Sequence, residues 1–216
     1  MENKSAGGRI RNKERSKKRF LEAVGKILKT KGHTALKIND IAATAGVDKK
    51  MIYTYFDGMD GLMDEYIQSQ NAWEEITATK MSEINPKIDK GGIAFIEELL
   101  ISQFENMHDN REMQKMILWR LSEPRKSLIQ LTSTQEENRE YFFKLMVDSH
   151  FREYAQKFRS IIAVMLSGLY YLNMYASVNG SIFCGIDLNC PADREKIKKA
   201  ISFLLEKSYQ KLSYSE

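Results

Sequence analysis

Along the chain, apolar positions recur every three or four residues far more often than every second one. Phe20, Leu21, Val24, Ile27 and Leu28 make the first such stripe and Gly32 closes it, which predicts an amphipathic helix from about Arg15. Its outer face carries Lys17, Lys18, Arg19, Lys26 and Lys29. Two short helices follow, over residues 38–45 and 48–56, separated by Gly46-Val47. Leu62, Met63, Tyr66, Ile67, Trp73 and Ile76 then trace a longer connecting helix from Asp60 to about residue 77. Asn85-Pro86 and Gly91-Gly92 break the chain. Helical periods resume at Ile93, Ile96, Leu100, Phe104 and Met107, and again at Met113, Met116, Ile117 and Leu121. After Glu123-Pro124 they continue through Leu128, Leu131, Phe142, Leu145 and Met146. Further helices are expected over 161–177 and over 193–212, the last with Ile197, Ile201, Leu204 and Leu205 inward. No alternating run is long enough to seed a sheet, so the expected fold is all-α.

The segment from Ile38 to Phe56 is the most informative. Two short helices that cross steeply need a small residue where their axes approach, a residue tolerant of positive φ in the turn, and apolar residues pointing back at a third helix. Ala42, Gly46 and the set Ile41, Val47 and Ile52 supply these in order. Asp48 is suited to cap the second helix by accepting backbone amides, and the turn after it presents Lys49, Lys50 and Met51. The spacing fits a DNA-binding helix-turn-helix, and an ordinary helical hairpin fits it too.

Charge separates these readings further. Of 33 Lys and Arg, 14 lie in residues 1–56 against 5 Asp and Glu, a net of +9; the remaining 19 against 24 give the rest of the chain −5. A basic head on an acidic body is the footprint of a polyanion-binding module. Residues 1–13, with Gly7, Gly8, Arg9, Arg11 and Lys13, read as a flexible basic tail, and neither a signal peptide nor a membrane span is expected. The apolar stretch from Ile161 to Val178 is interrupted by Ser167, Gly168, Asn173 and Ser177 and reads as a buried helix. Cys184 and Cys190 have no histidine at ligand spacing, His33, His108 and His150 stand apart, and no phosphate-cradling glycine loop or nucleophile with an oriented base occurs. Neither a metal nor a cofactor nor an enzymatic activity is therefore expected. The rival class is a helical enzyme or metal-binding bundle with an incidental basic head, for which a Glu-x-x-His pair on facing helices would argue.

The runs FLEAVGKILKTKG, INDIAATAGV and IYTYF, followed by a polar turn and LMDEYI, resemble the N-terminal domain of the TetR family of bacterial regulators over about residues 15–70. The combination of Gly32, Ile41-Ala42, Gly46-Val47 and Tyr53-x-Tyr55-Phe56 carries the resemblance. It implies a three-helix DNA-binding head over residues 14–58 and a helical effector-binding and dimerisation domain over 59–216. By the same resemblance Tyr53 and Tyr55 fall at phosphate-contacting positions. Lys49, Lys50, Met51 and Thr54 fall where the family varies its base and backbone contacts, and Lys37 and Asn39 open the helix that touches flanking phosphates. The chain departs from the pattern at Asp48 and Lys37, where Ser or Thr is common, and at Met59, where a phosphate-binding lysine is frequent.

In the body, the helix over 161–177 is apolar nearly all round and needs covering on two sides, by its own domain and by a second subunit. Ile161, Met165, Gly168, Leu169 and Leu172 on that helix, with Ile201 and Leu205 on the last one, are the expected dimer interface. Met107, Met113, Met116, Trp119, Phe142, Met146 and Met165 are the candidates to wall an effector pocket, since methionine lines adaptable sites, although it fills cores as readily. The expectation is a cytoplasmic homodimeric repressor that binds a double-stranded operator and is released by a small-molecule effector.

Overall fold

The computed structural model describes residues 3–70 and 92–213 and is built almost wholly of helices. Two compact units divide the chain. The first takes in the N-terminal helices together with Arg111–Gln135; the second takes in the remainder.

In the first unit, α1 (Asn3–Lys31) is followed by a 3-10 turn (His33–Ala35), α2 (Ile38–Ala45), α3 (Lys50–Phe56) and α4 (Met59–Ser69). α1 takes in residues 3–13, which read as a tail in the sequence. Once Phe20, Val24, Ile27 and Leu28 nucleate the helix by packing, each further turn adds backbone bonds without a new nucleation cost, and the proline-free polar run propagates it. These four side chains are buried at the centre of the first core with Ile41, Ile52, Phe56, Leu62 and Ile67. Each such burial contributes about 1.5–3 kcal/mol.

Met116 and Trp119 on α6 (Arg111–Ser122) and Leu128 and Leu131 on α7 (Lys126–Phe143) belong to the same core. Tyr66 donates its hydroxyl to the Glu112 carboxylate, and Gly25 makes room for it, because a Cβ there would stand 2.8 Å from Glu112 Oε1. Burial and that carboxylate push the Tyr66 phenol well above its ordinary value, so it remains a donor. His33 stacks on Trp119 with ring centroids 5.8 Å apart. Arg125 clasps α4: Nη2 donates to Asp64 Oδ1 at 2.8 Å and to the Asp60 carbonyl at 2.9 Å, and Nη1 to Asp60 Oδ1 at 3.1 Å. The expected continuation of α4 through Trp73 and Ile76, and the breaks at Asn85-Pro86 and Gly91, lie outside the described residues.

The second unit holds α5 (Ile93–Asp109), the end of α7 with a π turn (Lys144–Asp148), α8 (Ala155–Val178) and α9 (Pro191–Ser213). Ile96, Leu100, Phe104, Phe158, Ile162, Leu169, Ile201 and Leu205 form its core. Asn173 is buried because its amide is well used: Nδ2 donates to the carbonyls of Phe104 and Leu169, and Oδ1 accepts from Arg194. Arg194, also buried, donates to the Leu188 and Phe104 carbonyls, and its guanidinium lies 4.0 Å from the Phe104 ring centroid. A run within Lys126–Val178 is long and apolar enough to pass for a membrane span by composition, but α8 turns Phe158, Ile162, Leu169 and Asn173 into its own unit's core.

One element was not expected. β1 (Ile182–Phe183) pairs antiparallel with β2 (Ile186–Asp187) around Cys184 and Gly185, both at positive φ. Two such residues make the turn that matches strand twist; two-residue strands are too short to show alternation in sequence. Phe183 anchors the hairpin edge-on to Tyr171 and Tyr175.

This packing makes two positions measurable. Arg152, between the π turn and α8, sits at φ 48° and ψ −115°, which favours glycine. The strain of about 1–3 kcal/mol exceeds the entropic cost of glycine, about 0.5–1 kcal/mol, so Arg152→Gly should raise the melting temperature by roughly 2–4 °C in a thermal melt. At Asp64, burial raises the carboxyl pKa, but the hydrogen bonds and charge of Arg125 outweigh it and hold the value below the ordinary range. A carboxylate with a depressed folded pKa stabilises fully above its unfolded pKa, near 3.9, and that contribution is lost as pH falls through the folded value. Arg125→Met should therefore cost about 1–2 kcal/mol at neutral pH, with partial exposure of Asp60 and Asp64 setting the low figure. The difference from the parent should fade in denaturation curves taken below about pH 4.

Candidate nucleic-acid interface

The turn between α2 and α3 follows from three residues. Gly46 adopts φ 59° and its amide donates back to the carbonyls of Ala42 and Ala43, while Val47 N donates to Ala42 O at 3.2 Å, closing the end of α2. Asp48 Oδ1 then accepts the Lys50 amide at 2.8 Å and starts α3. Its carboxylate is thereby engaged in capping. Lys37 opens α2 through its backbone, its carbonyl accepting from Ile41 at 3.0 Å, and its side chain makes no cap bond.

Lys49 Nζ donates to Asn39 Oδ1 at 3.3 Å, which brings the starts of α2 and α3 side by side. Lys37, Asn39, Lys49, Lys50, Tyr53 and Thr54 are exposed; Tyr53 keeps 62% of its surface open. Thr54 Oγ1 donates to the Lys50 carbonyl at 3.1 Å. Met51 and Tyr55 differ: both are half-buried and packed against the first core, with Lys13 Nζ 5.8 Å from the Tyr55 ring centroid. Met59 likewise packs against that core. Ammonium groups, an amide, a hydroxyl and a phenol on one face have the chemistry to hold phosphate oxygens and base edges.

A residue that sequence reasoning placed only on an outer helix face also stands at this turn. Arg19 Nη2 lies 2.7 Å from where a Cβ on residue 46 would be, so glycine at 46 both permits the backbone turn and admits the guanidinium.

The other two predicted sets are distributed differently from expectation. Met113, Met116 and Trp119 belong to the first unit and Met107, Phe142, Met146 and Met165 to the second, because α6 packs its apolar face on α1. Leu169, Ile201 and Leu205, expected at a dimer interface, are buried in their own unit's core, and Ile161, Met165 and Leu172 pack half-buried against it. Gly168 is exposed with nothing near it, and Val164, Tyr171, Phe203 and Leu204 are apolar side chains turned outward. Leu204, read as inward, is 50% exposed: it stands about 60° from Ile201 and about 100° from Leu205 around the helix, at the edge of the stripe that the core takes.

The family model of bacterial regulatory proteins of the tetR family matches residues 20–66, from the buried Phe20 of α1 to Tyr66 of α4. Over these residues the chain is similar to the N-terminal domain of the TetR family. These residues form a helix-turn-helix head of the kind that DNA-binding transcriptional regulators carry. Solved structures share its fold over nearly the whole length. A Clostridium perfringens fatty acid metabolism regulator aligns with a TM-score of 0.58 at 17% identity, covering 87% of this chain and 97% of its own. A TetR-family transcriptional regulator from Rhodococcus sp. gives 0.57 at 14%, covering 90% and 98%. NalD of Pseudomonas aeruginosa, the secondary repressor of the MexAB-OprM multidrug efflux pump, gives 0.55 at 14%, covering 94% and 98%. Comparison with curated protein sequences finds no match.

How α3 is seated on α4 generates a prediction. A Cβ on Gly61 would stand 1.7 Å from the Phe56 carbonyl oxygen, a backbone atom that cannot swing aside. Gly61→Ala should destabilise the head by about 1–3 kcal/mol or more, in spite of the better helix propensity of alanine. Chemical denaturation of the full chain measures it; an unchanged midpoint would show that α4 can slide away from α3.

Proposed function

We propose that this chain is a cytoplasmic homodimeric repressor of the TetR type whose head reads operator DNA through the starts of α2 and α3. The observation that carries this reading is the Lys49–Asn39 contact, which sets the two helix starts on one face beside exposed Lys50, Tyr53 and Thr54. In it, Lys37, Lys49 and Tyr53 hold phosphates and thereby set register, while Asn39, Lys50 and Thr54 approach base edges. Met51 and Tyr55 support the reading helix from behind. Dimerisation through the outward side chains Val164, Tyr171, Phe203 and Leu204 would present two heads to half-sites separated by a multiple of one DNA turn, about 34 Å. Gly168, open on the same helix as Val164 and Tyr171, allows close approach of a partner helix. Repression is the sign supported by NalD, a repressor of the same fold. The proposed effector is an apolar or aromatic small molecule bound in the second unit against Phe142, Met146 and Met165. It acts only through its differential affinity for two head spacings.

The test begins with operator fragments selected from a random duplex library by the full-length protein. Lys49→Ala with Lys50→Ala should leave melting and dimerisation intact and weaken binding. The slope of log affinity against log salt should shrink by about 0.9 for each phosphate no longer neutralised. An unchanged affinity would remove α3 from the interface.

A further inference from the structure

Arg11, Arg15 and Arg19 stand at i, i+4 and i+8 on α1 and so form a row along one side of it, about 12 Å long at 1.5 Å per residue. All three are exposed. Among the described residues none of the three takes part in a hydrogen bond or an ion pair. Arg19 fixes where the row begins, because its guanidinium lies against Gly46 at the turn that leads into α3. α1 is continuous from Asn3 to Lys31, so Arg15 and Arg11 are carried on a rigid rod away from that turn.

The row is an electrostatic cost to the free protein. Like charges at i,i+4 repel. Lys17 and Lys18, by contrast, are paired, with Glu65 at 2.7 Å and Glu22 at 3.8 Å. A row of unpaired arginines that begins at the helix-turn-helix is relieved by an anion of matching form, and guanidinium forks suit phosphodiester oxygens.

We infer that Arg11, Arg15 and Arg19 form a second backbone-binding track, which grips DNA phosphates beside the reading helix and carries no sequence information. This rests on the proposed DNA reading of α2 and α3, and it adds a separate surface to it. Because phosphates are the same in every duplex, the track strengthens binding to selected operator and to mixed-sequence DNA by the same factor.

Fluorescence anisotropy of the full-length protein with a mixed-sequence duplex, and with a selected operator fragment, tests it across a salt series. Arg11→Ala/Arg15→Ala/Arg19→Ala should reduce the salt slope on both duplexes equally, by about 0.9 for each phosphate released and so by at most about 2.7 for each bound head, or about 5.4 for a dimer with both heads on DNA. The corresponding triple lysine variant should keep most of the slope. Should the triple alanine variant fail to fold, Arg15→Ala alone, in the middle of the row, is expected to lower the slope by about 0.9 for each bound head. A wild-type slope in a folded alanine variant, alongside weakened binding by Lys49→Ala/Lys50→Ala, would overturn the track and leave the reading helix in place. Unchanged binding in both would overturn the DNA reading itself and the track with it. A reduction on operator alone would also overturn the track, since it would assign these arginines to base recognition.

Discussion

The apolar stripe of α1 organises the DNA-binding head. Phe20, Val24, Ile27 and Leu28 are covered by α2 and α3 on one side, by Leu62 and Ile67 of α4, and by Met116 and Trp119 of α6. Because this one surface receives all of them, the pose of α3 is set by what packs behind it. Ile52 and Phe56 point inward, and the helical period then turns Lys49, Lys50, Tyr53 and Thr54 to solvent. The same period places Met51 and Tyr55 on the flank of α3, half-buried against the core.

Polar constraints refine what burial organises. Tyr66–Glu112 and Arg125–Asp60–Asp64 tie α4 to α6 and to the start of α7 within the first unit. These bonds have directions that hydrophobic contacts lack, so they set the register of α4 as well as its proximity. α7 begins in the first unit and ends in the second, which makes it a continuous covalent path from the clasp at Arg125 to Phe142. In the second unit the Arg194–Asn173 pair does a comparable job. A charge is tolerated in that core because carbonyls, an amide and an aromatic face all receive its donors.

The turn between α2 and α3 was legible in sequence because its determinants are local. Gly46 at positive φ, Asp48 as a cap and the period of Ile41, Ile52 and Phe56 all act within a few residues of one another, and each occurs as read. The body was less legible. Its candidate pocket residues lie on helices whose partners are far away in sequence, and a methionine looks the same whether it faces α1 or α5. The outward face of α8 was not legible for a related reason: on a helix apolar nearly all round, composition does not say which stripe its own core takes.

By itself the sequence determined the helical class, the boundaries of α2 and the end of α3, the turn between them and the concentration of positive charge at the head. All of these depend on short-range periodicity, turn stereochemistry and net charge. Tertiary structure alone decided that α6 packs on α1, that Leu169 and Leu205 turn inward while Val164 and Leu204 turn outward, and that Arg19 lies at Gly46. Those outcomes depend on which of several equally apolar stripes finds a complementary surface, and on side chains brought together from positions tens of residues apart. Periodicity along a chain carries no record of either.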